Sequence, residues 1–142
     1  DGPSPLQIAC YWGHVDTASL LIGKGADLNA LTPDGYSLLY IAAMFANEGK
    51  GSIDIVKLLL EGGTDVSHVE PGGYTILHSA ADFEFNRDIL DTLVAAGVDI
   101  DAPSATNDTP LHIAAMRGDT ELVEFFLQNN ACIDALDDDG HT

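Results

Sequence analysis

Thr109-Pro110-Leu111-His112-Ile113-Ala114-Ala115 decides how the rest of this 142-residue chain is read. A threonine hydroxyl can cap a helix, and proline suits the first helical position, where its missing N–H costs nothing. Leu111, Ala114 and Ala115 follow at helical spacing, and the two alanines let a neighbouring helix approach closely. Weaker copies stand elsewhere: Ser4-Pro5-Leu6-Gln7-Ile8-Ala9, Ser37-Leu38-Leu39-Tyr40-Ile41-Ala42 and Thr75-Ile76-Leu77-His78-Ser79-Ala80.

The copies are periodic. Ser4 to Ser37 is 33 positions, Ser37 to Thr75 is 38, Thr75 to Thr109 is 34 and Thr109 to Thr142 is 33. A second apolar motif follows each copy: Leu20-Leu21, Leu58-Leu59-Leu60, Leu93-Val94 and Phe126-Leu127. A glycine or asparagine then closes it, at Gly25, Gly63, Gly97 and Asn130. From Leu21, Leu59, Leu93 and Phe126 to the Ser or Thr that opens the next copy is always 16 positions, so all length variation lies ahead of the second helix of a unit. A fixed period of this size belongs to stacked repeats, in which each unit buries its apolar faces only against its neighbours.

These motifs resemble the ankyrin repeat family along the whole chain. The fourth unit carries Asn107, Thr109 to Ala115, Gly118-Asp119, Leu122-Val123, Phe126-Leu127 and Ile133-Asp134-Ala135; the first carries Gly13-His14-Val15-Asp16, Leu20-Leu21 and Gly25-Ala26-Asp27-Leu28-Asn29-Ala30. The resemblance implies an all-α fold: a solenoid of helix–turn–helix units with β-hairpin-like loops between them. The units expected are residues 1–33, 34–71, 72–105 and 106–138, with 139–142 beginning another. Both ends fall at one phase of the repeat and the first unit shows no capping substitution, which points to a segment of a longer array. A short protein with unrecognised caps is the competing reading.

Unit two departs furthest from the pattern. Leu38 and Tyr40 replace the expected proline and histidine, so its first helix is expected to start with fewer local restraints, and Asn47 to Ser52 forms a polar, glycine-rich turn. That turn lacks the spacing of a phosphate-binding loop. Unit three has Phe85 in its turn, where the ring should fold back onto helix tops or touch a partner.

Composition narrows the function. Net charge is −18, and only Lys24, Lys50, Lys57, Arg87 and Arg117 are basic, which argues against nucleic acid. No apolar run reaches the roughly 18 residues of a membrane span. The acids serve solubility on the plain reading, and a basic partner on the sharper one. Cys10 and Cys132 fall in the first and last units, as reduced structural thiols in an intracellular, cytoplasmic protein. Asp137-Asp138-Asp139-Gly140 lacks the alternating ligands and final glutamate of a calcium loop, so no metal is expected, nor any other cofactor.

No catalytic constellation emerges. His78 and His112 repeat at one position of successive units, three residues after Thr75 and Thr109, and capping explains both. The chain is therefore read as no enzyme. In the family, partners touch the loop residue before each Ser/Thr cap and the residues after the paired small residues of the first helix. Carried onto this chain, the partner-binding set is Tyr11, Trp12, Tyr36, Met44, Phe45, Tyr74, Asp82, Phe83, Asp108, Met116 and Arg117. The chain has ten aromatic residues, and six fall on this surface: Tyr11, Trp12, Tyr36, Phe45, Tyr74 and Phe83. Aromatic anchors among acids suit a protein or peptide with apolar and basic side chains. The alternatives are a structural spacer in a long array, or a regulatory module attached to an enzyme domain outside the chain. Asp27 and Asn29 match family positions that tie the loop together. Asn29 also resembles ankyrin asparagines that a cytoplasmic oxygenase hydroxylates, which marks it as a candidate modification site.

Overall fold

A computed structural model describes residues 2–45, 52–82 and 86–142. The described residues form eight helices in four pairs: α1 (Pro5–Trp12) with α2 (Val15–Gly23), α3 (Leu38–Met44) with α4 (Ile53–Glu61), α5 (Ile76–Asp82) with α6 (Arg87–Ala95), and α7 (Pro110–Arg117) with α8 (Thr120–Gln128). The polar turn of unit two falls almost wholly outside the described residues, as does Phe85.

Local chemistry starts most of the helices; α2, which follows His14, begins without a side-chain cap. The Gln7 N–H donates to Ser4 Oγ at 3.2 Å and the Ser4 N–H donates to Gln7 Oε1 at 2.7 Å, a reciprocal cap that satisfies two donors. The Tyr40, Ile55 and Leu122 amides donate to Ser37 Oγ, Ser52 Oγ and Asp119 Oδ1 in the same way. Each second helix ends in a left-handed residue: Gly25, Gly63, Gly97, and at the fourth position Asn130, with φ 67°. Asparagine tolerates that region better than other side chains, so the substitution keeps the turn.

Stacking follows from the small residues. α1 packs on α2 and α3, α3 on α4, α5 on α7 and α7 on α8, while α2 meets α4 and α4 meets α6 in a second row. Ala9, Ala42, Ala80 and Ala114 are buried along the first row, where a larger side chain would hold the helices apart. Leu59, Leu93, Phe125 and Phe126 fill the second. The Arg87 guanidinium lies 4.3 Å from the centre of the Phe125 ring and ties the third pair to the fourth.

The loops join neighbouring units. The Asp65 N–H donates to Asn29 Oδ1 at 2.8 Å, and one unit pair later the Cys132 N–H donates to Asp101 Oδ1 at 2.9 Å. The Ala105 N–H donates to the Gly73 carbonyl at 3.0 Å, and any side chain on Gly73 (φ 84°) would run into the Ala105 methyl. Each loop closes with one hairpin-like bond: the Thr32, Glu70, Ser104 and Asp137 N–H groups donate to the carbonyls of Tyr36, Tyr74, Asp108 and His141 at 2.9, 2.7, 2.8 and 3.0 Å, and Glu70 with Tyr74 also forms an isolated bridge. Cys10 is buried, which pushes its thiol up to about 12, as a structural thiol should be. Cys132 is exposed, which corrects its reading as a structural thiol: it lies in the last loop, where no helix pair covers it.

Candidate functional site

The first two pairs carry a continuous row of aromatic rings. Trp12 meets Tyr11 edge-on with centroids 5.3 Å apart, and Tyr11 stacks on Phe45 of the next unit at 5.9 Å. Phe45 meets Tyr40 at 5.8 Å, and Tyr40 stacks on Tyr36 at 4.7 Å. Trp12 and Tyr11 end α1, Phe45 follows α3, and Tyr36 precedes the α3 cap, so the row crosses from one unit to the next. Trp12, Tyr11 and Phe45 are 61%, 47% and 44% accessible, large rings standing in solvent. Beside them a cleft of about 220 Å³ is lined by Pro3, Gln7, Ile8, Tyr11, Trp12 and Ile41 among others.

Tyr40, and Pro3, Gln7, Ile8 and Ile41 of the cleft, lay outside the sequence-based set. Tyr40 is buried and bridges Tyr36 to Phe45; its one signal was the loss of the repeat's histidine. Burial, with Tyr36, Glu70 and Asp82 nearby, raises its hydroxyl above the ordinary tyrosine range. Ile8 is exposed at the cleft, whereas its counterparts Ile41 and Ile113 are buried.

Tyr40 leaves the Ser37 cap without a histidine, and Glu70 supplies what is missing. The Ser37 N–H donates to Glu70 Oε2 at 3.0 Å and the Ser37 hydroxyl donates to Glu70 Oε1 at 2.5 Å. The carboxylate is buried, with His68 Nε2 3.8 Å away. The helix start of unit two thus lacks the local restraints of proline and histidine, and a long-range one from the following loop stands in their place.

The other half of the surface is polar. Tyr74 is half-buried and stacks on His78 at 5.5 Å, apart from the first row. Arg117 donates to the Asp82 carbonyl, and to its carboxylate at 3.1 Å, so these two predicted contact residues hold each other. Asp108 is half-buried; its carbonyl accepts from His78 Nε2 at 2.7 Å and its carboxylate accepts from the Thr106 hydroxyl at 2.6 Å. Met44 is half-buried beside the row. Met116 is exposed at the far end of the stack. Phe83 lies outside the described residues.

A family model described as ankyrin repeats (3 copies) matches residues 1–70 and 77–142. The chain belongs to the ankyrin repeat family. No curated protein matches it. Ankyrin repeats are generally protein–protein interaction modules and typically non-catalytic. In this ankyrin stack Asn29 is exposed, yet its side-chain oxygen accepts from the Asp65 amide and, at 3.3 Å, from the Thr64 hydroxyl. Among the described residues no group of three His, Cys, Asp or Glu could hold a metal ion, and no helix is long and apolar enough to cross a membrane.

Proposed function

We propose that this ankyrin chain is a non-catalytic recognition module that grips a protein segment bearing apolar and basic side chains. The row of rings from Trp12 to Tyr36 carries the reading, because Trp12, Tyr11 and Phe45 together form an apolar patch of the kind soluble surfaces rarely leave bare. Aromatic faces attract cations as well as aliphatic groups, and a net charge of −18 draws a basic segment toward them. Tyr74, Asp108 and Met44 border the same contact, and Asp82 with Arg117 forms its polar end. Phe83 belongs to the set by sequence alone, as does hydroxylation of Asn29.

Trp12 is the chain's one tryptophan and stands in the site, so its fluorescence reports occupancy. Titration with an amphipathic helical peptide carrying leucines on one face and arginines on the other should quench and blue-shift the emission, less so at high salt. Tyr11→Ala and Phe45→Ala should each weaken binding by about 1–2 kcal/mol. Equal affinity for an acidic peptide of the same apolar face, or no loss in either variant, defeats the reading.

A further inference from the structure

The loops carry a pattern that stacking does not require. Residues 25–37, 63–75, 97–109 and 130–142 each run from the residue that closes a second helix to the next Ser or Thr, and all four are equal in length. Leu31, Val69, Pro103 and Leu136 hold one and the same place in them. Each stands just before the residue whose N–H closes its loop: Thr32, Glu70, Ser104 and Asp137. Leu31 and Val69 are 46% and 54% accessible, and Pro103 is exposed as well. One apolar side chain in solvent is ordinary, but an apolar residue at the same exposed place of successive loops makes a row.

Charge accompanies the row. Each loop holds two to four acids and no lysine or arginine. Between the first and second loops a cleft of about 90 Å³ is lined by Leu28, Asn29, Leu31, Thr64, Asp65 and His68 among others, and by none of the rings of the aromatic row. Two apolar side chains thus share a cleft with a carboxylate. The Ser67 hydroxyl and N–H both donate to Asp65 Oδ1, which holds this exposed carboxyl below the usual carboxylate range and leaves Oδ2 outside both bonds.

Spacing narrows the occupant. Neighbouring loops are bonded to each other, Asp65 to Asn29, Ala105 to Gly73 and Cys132 to Asp101, so they advance with the helices, which pack roughly 8–10 Å apart. A chain in the polyproline-II conformation advances about 3.1 Å per residue, so every third residue meets the next loop.

We infer that the loop row of Leu31, Val69 and Pro103 is a second docking surface, which takes an extended basic segment of another protein with an apolar residue at every third position. The apolar residues rest on successive loops and the basic ones between them meet the loop acids. One basic side chain lays its stem on Leu28 and Leu31 and reaches Asp65. A second copy of this chain is not the occupant, since two chains of charge −18 repel. This surface goes beyond the aromatic row and does not depend on it.

The probe is a peptide of repeated valine-arginine-proline triplets, one for each loop, in which proline keeps the chain extended. A control peptide has the same composition with its valines moved off the three-residue spacing. At low salt the spaced peptide should bind at least about fivefold more tightly than the control, with NMR amide shifts centred on the first and second loops. Leu31→Ser/Val69→Ser should abolish that preference, while the urea midpoint and the Trp12 titration with the helical peptide stay unchanged. Asp65→Asn, which keeps an oxygen for Ser67, should weaken binding by about twofold to threefold at low salt. Equal affinity for the two peptides, or no binding by either, overturns the inference. So does binding that is lost in Tyr11→Ala and kept in Leu31→Ser/Val69→Ser, which gives the peptide to the rings.

Discussion

α3 and α5 begin with the same hydroxyl cap and are fastened in opposite directions. At α5, His78 belongs to the helix itself: it accepts from Thr75 and reaches forward to the Asp108 carbonyl in the next loop. At α3 the histidine is gone, and Glu70 reaches back from the next loop to accept from both donors of Ser37. Either arrangement joins a helix start to the following loop, so the requirement is an acceptor for the cap and a bond between units, not one residue type. Moving that work to Glu70 leaves position 40 open to a ring. Tyr40 uses it to connect Tyr36 with Phe45, which is how the aromatic row spans two units.

If Glu70 is the fastener, its loss should exceed that of the histidine it stands in for. Glu70→Ala strands a buried amide and hydroxyl at Ser37 and should cost about 3 kcal/mol, read from urea unfolding, since bonds to a charged acceptor are stronger than neutral ones. His78→Ala, which strands Thr75 and takes one of two donors from the Asp108 carbonyl, should cost about 2 kcal/mol. A reversed order would mean that Ser37 finds another acceptor and that the two starts are not equivalent.

The His78 fastener is also sensitive to acid. Burial of His78 holds its ring below the ordinary histidine pKa, because desolvation disfavours the imidazolium. Above about pH 6.5 the ring is neutral in folded and unfolded chains alike. As pH falls below that, the unfolded chain takes up the proton and the folded one does not, so this contribution to stability is lost progressively until the folded-state pKa is reached. His78→Gln, which imitates the Gln7 cap of α1, should lose less stability than the native chain between pH 6.5 and 5, in paired urea titrations. Parallel curves would place the acid sensitivity elsewhere.

The fold was legible because stacking demands the same small and apolar residues at the same places in every unit. Ala9, Ala42, Ala80 and Ala114 could be read as buried contacts from position alone. The row of rings was half legible: Tyr11, Trp12, Tyr36 and Phe45 fall at variable surface positions, whereas Tyr40 falls where the pattern assigns a cap. The bond from Glu70 to Ser37 spans 33 positions between two loops, and no local pattern announces a long-range acceptor. The pairing of Arg117 with Asp82, 35 positions apart, was hidden for the same reason, since both were read as free to meet a partner.

That ion pair yields the smallest effect and divides two views of the polar half. Both side chains are about half exposed, so water and salt screen the attraction. Arg117→Ala should change stability by less than about 0.5 kcal/mol. Its effect on binding decides more. With Arg117 gone, the Asp82 carboxylate is bare beside the aromatic row, and the arginine-bearing peptide should bind more tightly, by about twofold to threefold at low salt. The gain should vanish in Arg117→Ala/Asp82→Asn. Weaker binding by Arg117→Ala would instead mean that Arg117 leaves Asp82 to touch the partner, and the polar half would then join the rings as a contact surface.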